Sequence, residues 1–283
     1  MSIQVSPVIR ARSLRGAGGF SVQSLEVGQL GERASPVVVL DDFCVSGRPF
    51  GPHPHAGFSA VTYVFEDSQG GLRSRDSLGN DVVTGPGGIV WTQAGRGVIH
   101  EEVPAGASGE LHGLQVFVNL SARNKLAAPQ MLRLDKGEVP EWRNGAGDRV
   151  RVAVGSFDGV LSPLAPVEPF TFLDVTLRRE ISFEVPPAHN AIVYTIGGDA
   201  FVRADGREQK VTAGHAAALY GDSARVAFAA SRPAHIIVLS GPSIQEPVVV
   251  QGSFIMNERS QIEAAVARFR RGQMGHLAPL ADS

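Results

Sequence analysis

Two short segments of this chain each carry a pair of side chains of the types that bind metals in proteins. His53 and His55 are separated by one residue, and so are His100 and Glu102. Side chains at positions i and i+2 of a β-strand point to the same face, so each pair would project from one side of its strand. If the two strands are neighbours, three imidazoles and one carboxylate enter a single small volume.

This combination of ligands indicates a particular kind of site. Imidazole binds first-row transition metals, and histidines with one carboxylate are typical ligands of non-haem iron. A His-x-His pair by itself is more often structural, because imidazole also forms hydrogen bonds in protein cores. Adding a His-x-Glu pair flanked by glycines reverses that balance, and the sequence predicts one metal ion on His53, His55, His100 and Glu102. Pro54 lacks an N–H, which places the first pair at a sheet edge.

Composition places the chain among globular proteins and argues against several functions. Of its 283 residues, 43% are hydrophobic and 19% are charged, and the formal net charge is −2. This charge provides no basic surface for nucleic acid, and no run approaches the ~20 apolar residues that cross a bilayer. Cys44 is the only cysteine, which excludes an intrachain disulfide and a cysteine-cluster zinc site. The first residues lack an apolar run typical of a signal sequence, so we expect a cytoplasmic protein.

Short apolar segments separated by glycine-rich turns dominate the chain. The 33 glycines and 18 prolines fall between runs rich in β-branched and aromatic residues, such as residues 59–65. This spacing is typical of an antiparallel sandwich or barrel, and a second series of such strands begins near residue 150. One amphipathic pattern, over residues 258–271, predicts a helix that Asn257 caps and Gly272 ends.

Other acidic and histidine residues have both a functional and a structural interpretation. The pair Asp41 and Asp42 follows an apolar strand that ends at Leu40, and turn chemistry is favoured there over a cation site. His112 could lie at the rim of a metal site, but a structural role is favoured. Three histidines of the second half form no comparable spaced pairs, so that half is predicted to hold no metal: His189, His215 and His235.

With their neighbours, both ligand pairs resemble the motifs of the pirin family, a branch of the cupins. The first is His-Pro-His-Ala-Gly-Phe at residues 53–58. The remaining matching segments, in order, are residues 76–80, 91–102, 112–120 and 251–257. Together they extend the resemblance over nearly the whole chain. Two positions depart from the family pattern: Ser74 stands where many bacterial relatives have His, and Thr92 where Met is common.

The resemblance implies a fold and a set of ligands. The implied fold is all-β, a bicupin of two antiparallel β-sandwich or jelly-roll barrels packed face to face, with a short C-terminal helix. The implied domains are an N-terminal metal-binding cupin barrel at 1–135, a C-terminal cupin barrel without metal at 136–250, and a segment at 251–283 whose helix returns to the first barrel. The family motifs supply two histidines and then a histidine and a glutamate to one metal, usually iron. In this chain these residues are His53, His55, His100 and Glu102.

The resemblance also implies a reaction. Some pirins and other cupins open the heterocycle of quercetin, which suggests a dioxygenase that acts with O2 on a flavonol-like aromatic substrate. Its cofactor would be one divalent transition metal ion. Fe(II) is favoured, and nickel, copper, zinc and manganese are alternatives. In this hypothesis Glu102 is the catalytic base that takes the substrate's hydroxyl proton, and Phe43, Phe58 and Val98 line the pocket.

A second hypothesis belongs to a different class of function. Pirin relatives are implicated as co-regulators of transcription factors and as partners of metabolic enzymes. The metal would then serve as a redox sensor or structural element, and the protein would act without catalysis through a protein partner. A third and weaker alternative is isomerase or other cupin chemistry on a small metabolite. In every case we expect a monomer.

Overall fold

The computed structural model describes residues 3–16, 19–106 and 109–280. Its strands are short, as the spacing of apolar runs predicts. Up to residue 135 they are β1 (Gln4–Val5), β2 (Ile9–Arg10), β3 (Arg12–Arg15), β4 (Ser21–Leu25), β5 (Val37–Val45), β6 (His53–His55), β7 (Phe58–Val64), β8 (Gly71–Asp76), β9 (Asp81–Thr84), β10 (Ile89–Gln93), β11 (Val98–Ala105), β12 (Leu111–Asn119) and β13 (Gln130–Leu134). Two 3-10 helices occur, at Val27–Ala34 and Lys136–Glu138.

The rest of the chain continues in the same manner. Its strands are β14 (Glu141–Arg143), β15 (Arg149–Val154), β16 (Ser156–Phe157), β17 (Val160–Leu161), β18 (Thr171–Leu177), β19 (Glu180–Val185), β20 (His189–Gly197), β21 (Asp199–Ala204), β22 (Arg207–Thr212), β23 (His215–Tyr220), β24 (Ala224–Ala229), β25 (Ala234–Pro242), β26 (Val249–Gln251) and β27 (Phe254–Met256). An α-helix, α1 (Arg259–Arg270), follows. The prediction of an all-β fold with a short C-terminal helix is confirmed. Within the described ranges, every helix is too short or too polar to cross a bilayer.

The strands form two compact units, each assembled from separate stretches of the chain. The unit that contains both ligand pairs, called the histidine unit below, comprises residues 13–24, 40–136 and 244–283. The second unit comprises residues 1–12, 25–39 and 137–243. N-terminal residues thus contribute to both units, and the continuous domain limits at residues 135 and 250 stay a prediction.

The histidine unit is a sandwich of two antiparallel sheets. One sheet has the order β13-β10-β7-β12-β5-β4-β3, and the other has the order β6-β11-β8-β9. Apolar side chains from both sheets pack together between them, among them Phe43, Val64, Leu72 and Leu111. All seven residues of the central strand β7 are buried, including the polar Ser59 and Thr62.

The second unit has the same kind of construction. Its larger sheet has the order β1-β23-β20-β25-β18-β15-β14, with β2 also on β23, and its smaller sheet has the order β19-β24-β21-β22. Alternating apolar residues of both sheets form one core, which includes Val152, Val193, Phe228 and Val238. Each of the two series of strands in the sequence therefore corresponds to one two-layer β unit.

Strand β5 runs through the acidic pair and ends at Val45, so the prediction of a turn at Asp41 and Asp42 was wrong. The strand lies between β12 and β4, whose backbones hold it extended, and Phe43 and Val45 are buried beyond the acidic pair. The Asp42 carboxylate lies 3.0 Å from Nε2 of His112. Cross-strand pairing and burial therefore outweigh the local preference of aspartate for turns.

The C-terminal helix ends as predicted but begins with a different cap. Its N-cap is Glu258, and the side chain of Gln261 accepts the N–H groups of Asn257 and Glu258 at 2.9 and 3.1 Å. The prediction of Asn257 as the N-cap was wrong because its side-chain amide donates to the carbonyl of Pro247 at 2.9 Å. Gly272 follows the helix with a φ of 69°, a left-handed conformation that favours glycine.

A buried carboxylate organises the turn between β14 and β15. Oδ1 of Asp148 accepts the backbone N–H groups of Arg178 and Arg179 at 2.6 and 2.8 Å, and Oδ2 accepts Nδ2 of Asn144 at 2.9 Å. Burial alone would raise the pKa of Asp148, but these hydrogen bonds stabilise its charged form and hold the pKa below its usual value.

We expect Asp148→Asn to destabilise the protein by about 1–3 kcal/mol at pH 7. The new amide NH2 group would face Nδ2 of Asn144, which is also a donor. The Asn144 amide cannot flip to present its oxygen instead, because its Oδ1 already accepts the N–H groups of Ala146 and residue 148. Because folding depresses this pKa, the wild-type advantage is present above about pH 4 and is lost as the pH falls through the folded-state value. Urea denaturation of both proteins from pH 3 to 7 measures this, and a pH-independent difference would contradict it.

Candidate metal centre

Strand pairing brings three of the four predicted ligands together. Strand β6 pairs antiparallel with β11 and places His53 opposite His100. Nε2 of His53 lies 3.1 Å from Nε2 of His55 and 3.2 Å from Nε2 of His100. One ring nitrogen of each histidine lies within 4.8 Å of the other two. These residues form a group that can hold one metal ion, called the histidine triad below.

Local sequence explains the position of β6. The strand lies at the edge of its sheet and pairs on one side only. A proline, which has no N–H to donate, is tolerated in such an edge strand. Nδ1 of His53 lies 2.9 Å from the carbonyl of Gly51 and donates to it. In the neutral ring, this hydrogen bond selects the tautomer whose Nε2 carries the lone pair that binds a metal.

The environment favours the neutral form of His55 and of His100. Burial, followed by the nearby charge of His53, lowers the pKa of His55 to about 3. Burial, followed by the nearby side chains of His55 and His53, lowers the pKa of His100 well below its usual value. Neutral imidazole is the form that binds metals.

The spacing within the triad fits a transition metal. A metal–nitrogen bond of about 2.1 Å places neighbouring ligand nitrogens about 3.0–3.4 Å apart in octahedral or tetrahedral geometry. The two measured Nε2 separations, 3.1 and 3.2 Å, fall in that range. The donor set and its geometry therefore suit one divalent first-row ion.

The fourth predicted ligand, Glu102, lies in the same cavity but outside the group of converging nitrogens. Its Oε2 accepts the hydroxyl of Thr62 at 2.6 Å, and its Oε1 accepts the hydroxyl of Ser74 at 3.4 Å. Burial raises the pKa of Glu102 to about 7, and the two hydroxyl hydrogen bonds oppose that change. The assignment of Glu102 as a ligand stays a prediction.

A cavity of about 270 Å³ opens beside the triad. This volume lies just below the range of about 300–1,000 Å³ that is usual for small-molecule sites. Its walls are mostly aromatic and aliphatic, and they include Phe20, Phe43, Phe50, Leu72, Leu111 and Phe117. Of the predicted lining residues, Phe43 is present. Phe58 instead packs against the ring of His55 with centroids 5.0 Å apart, and Val98 is buried away from the cavity, so those two predictions were wrong.

Several side chains that shape the site were not identified from the sequence. Thr62 and Gln115 come from β7 and β12, and the hydroxyl of Thr62 also lies 3.2 Å from Oε1 of Gln115. A polar residue within an otherwise buried strand was the available signal for both. Phe20 and Phe50 form an edge-on pair with centroids 5.4 Å apart, and they lie near glycine-rich segments whose patterns carry no such signal.

The C-terminal part of the histidine unit supports the triad through its backbone. The N–H of Ile255 donates to the carbonyl of Ala56, the residue after His55, at 3.0 Å. The buried Nζ of Lys125 donates to the carbonyls of Gly57 and Ile255 at 2.8 and 2.9 Å, and also to the side chain of Asn119. Burial lowers the pKa of Lys125 to about 8. One ammonium group thus joins the segment after β6 to β27.

Gly57 is required by this close approach. Its φ is 85°, and a Cβ atom on it would lie 1.9 Å from the carbonyl oxygen of Ile255. We expect Gly57→Ala to lower the free energy of unfolding by about 3 kcal/mol, from the left-handed backbone and the steric overlap together. Gly51→Ala, on the other side of the same histidine pair and with open space at its Cβ position, should change stability by less than about 1 kcal/mol. Urea denaturation of both variants measures this, and equal midpoints would contradict it.

The fold and the site together define a class of protein. Two β-sandwich units, one of which carries a histidine triad beside an apolar cavity, are the features of a bicupin, as predicted. The Pirin family profile matches residues 13–118, and the profile of the pirin C-terminal cupin domain matches residues 172–275. The chain belongs to the pirin family.

Individual relatives agree with this assignment. Human pirin (Homo sapiens) is 32% identical over 282 residues, which cover 97% of this chain and 92% of the relative. A protein of Pseudomonas aeruginosa that is provisionally named a quercetin 2,3-dioxygenase is 34% identical over 255 residues, covering 85% of this chain and 87% of the relative. The crystal structure of quercetin 2,3-dioxygenase from Acinetobacter baumannii superposes with a TM-score of 0.86 at 24% identity, covering 98% of this chain and 100% of the other. At that identity the superposition supports the fold.

Proposed function

We propose that this protein is a metal-dependent dioxygenase that uses O2 to open the ring of a flavonol-like substrate. The observation that carries the proposal is the histidine triad at an apolar cavity with few polar groups. Such a cavity suits a planar aromatic molecule that reaches the metal through one hydroxyl group. The name of the Pseudomonas aeruginosa relative supports the same substrate class.

We further propose that the cofactor is one Fe(II) ion, held by the triad with Glu102 as a fourth ligand. Three neutral imidazoles and one carboxylate would leave a divalent ion with coordination positions for substrate. When bound, the ion would supply Lewis acidity toward the substrate hydroxyl and a route for electrons to O2. Nickel, copper, zinc and manganese suit the same ligands, so metal content must be measured.

The side chains of the cavity have distinct roles in this proposal. Glu102 takes the hydroxyl proton of the substrate, because of the two carboxylates that line the cavity it is the one on the same strand as His100. Thr62 and Ser74 hold its two oxygens in place. Phe43 and Phe117 pack on the aromatic rings of the substrate and exclude water.

Elemental analysis followed by an oxygen-consumption assay tests the proposal. Protein purified without added metal is analysed, and O2 uptake is then followed with a panel of flavonols. We expect uptake in proportion to metal content, and loss of uptake after chelation. A fully loaded protein that consumes no O2 with any flavonol would overturn the proposal and favour the alternative of a redox sensor with a protein partner. The monomeric state and the cytoplasmic location stay predictions.

A further inference from the structure

The cavity contains an acidic side chain that the chemistry at the metal does not use. Asp41, Phe43 and Val45 lie at alternate positions of β5, and all three line the cavity. The other residues on this face of the strand are apolar, so an apolar residue is expected at position 41, where the chain has aspartate. The triad lies on β6 and β11 of the smaller sheet, whereas Asp41 lies on the larger sheet, so the two features line one cavity from different sheets.

The other polar side chains in the cavity wall already have protein partners. Glu102 accepts the hydroxyls of Thr62 and Ser74. Gln115 donates through Nε2 to the carbonyl of Val61 at 3.0 Å, and its Oε1 lies 3.2 Å from the hydroxyl of Thr62. These groups therefore already receive hydrogen bonds from the protein or donate to it.

Asp41 differs from them. The hydroxyl of Ser24 is its hydrogen-bond donor, and its Oδ1 is buried with no hydrogen-bond partner in the part of the chain that the structure describes. A carboxyl group in an apolar wall with an unfilled hydrogen-bonding position costs free energy of folding. Departures from the local apolar pattern at such a cost are expected where a residue serves a function.

We infer that Asp41 accepts a hydrogen bond from a hydroxyl group on the outer ring of the substrate, the ring joined by a single bond to the fused ring pair that reaches the metal. This inference rests on the proposed function, and it narrows the substrate class to planar aromatic compounds whose outer ring carries a hydroxyl group. Burial raises the pKa of Asp41, which brings it closer to that of a phenol and strengthens a hydrogen bond between them.

Ligand binding without turnover tests the inference. Anaerobic titration calorimetry on the metal-containing protein would compare quercetin, which has two hydroxyls on its outer ring, with galangin, the flavonol with none there. We expect Asp41→Leu to weaken quercetin binding about tenfold, the loss of one hydrogen bond to a charged group, and to change galangin binding less than twofold. Asp41→Asn keeps an acceptor oxygen and should recover part of the quercetin affinity.

The control is Asp42→Asn, one residue along the strand, where the side chain contacts His112 and does not line the cavity. It should leave both affinities unchanged. Equal weakening of both ligands by Asp41→Leu would assign Asp41 to cavity shape and overturn the inference. Unchanged quercetin binding in that variant would also overturn it, as would wild-type protein that binds galangin as tightly as quercetin or binds neither. Hydroxyl-dependent binding without O2 uptake would reject the dioxygenase while leaving the role of Asp41 in place.

Discussion

Replacement of His100 by alanine is expected to leave the protein without bound metal and without O2 consumption. Nε2 of His53 lies 3.1 Å from Nε2 of His55 and 3.2 Å from Nε2 of His100, and His100 is the member of the triad that lies on β11. The two remaining histidines are adjacent on β6 and cannot surround an ion from both strands. Because a change in the residues around a ligand already costs about 10–100-fold in metal affinity, loss of the ligand itself should cost more. Metal content after dialysis measures this.

The control for this variant is His215→Ala. His215 lies in the second unit, with Nδ1 2.9 Å from the carbonyl of Ala213, and belongs to no metal-type group among the described residues. It should retain one metal per chain. Since His100 is buried, a thermal melt must show that the alanine variant is folded before its metal content is interpreted. A folded His100→Ala protein with full metal content would reject the triad as the site.

Replacement of Glu102 by glutamine is expected to leave the metal on the three histidines, bound more weakly than in wild type, and to reduce turnover per bound metal by at least about 100-fold. Glutamine has nearly the same shape and keeps an oxygen that can accept the hydroxyl of Thr62, but it cannot take a proton. The three histidines remain in place in this variant. Metal analysis and initial rates of O2 uptake at saturating flavonol measure the two effects separately.

Glu101→Gln is the matched control, because it makes the same change one residue away on the opposite face of β11. The Glu101 carboxylate lies 2.8 Å from Arg75 and does not line the cavity. Its turnover should remain within about twofold of wild type, and because the Glu101–Arg75 ion pair is largely buried, the change should also lower stability. Normal turnover by metal-loaded Glu102→Gln would reject Glu102 as the base and leave the triad unaffected.

The sequence predicts those residues of the site whose spacing follows the two-residue repeat of a β-strand. His53 and His55 share one face of a strand because side chains alternate, and the same rule places His100 and Glu102 together. The all-β architecture follows for a similar reason, since short β-branched runs between glycine turns have few other ways to bury their apolar faces. The resemblance of these motifs to a known family added the division into two β units.

Tertiary structure decided which side chains meet across strands. Thr62 and Ser74 reach Glu102 from 40 and 28 residues away, and no local pattern encodes such a contact. The same holds for Asp41, whose local preference indicated a turn, but whose strand is held extended by its neighbours β12 and β4. Local alternation specifies the face on which a side chain lies, whereas the register and order of strands specify what it faces. Those depend on the summed pairing and burial of residues far apart in the chain.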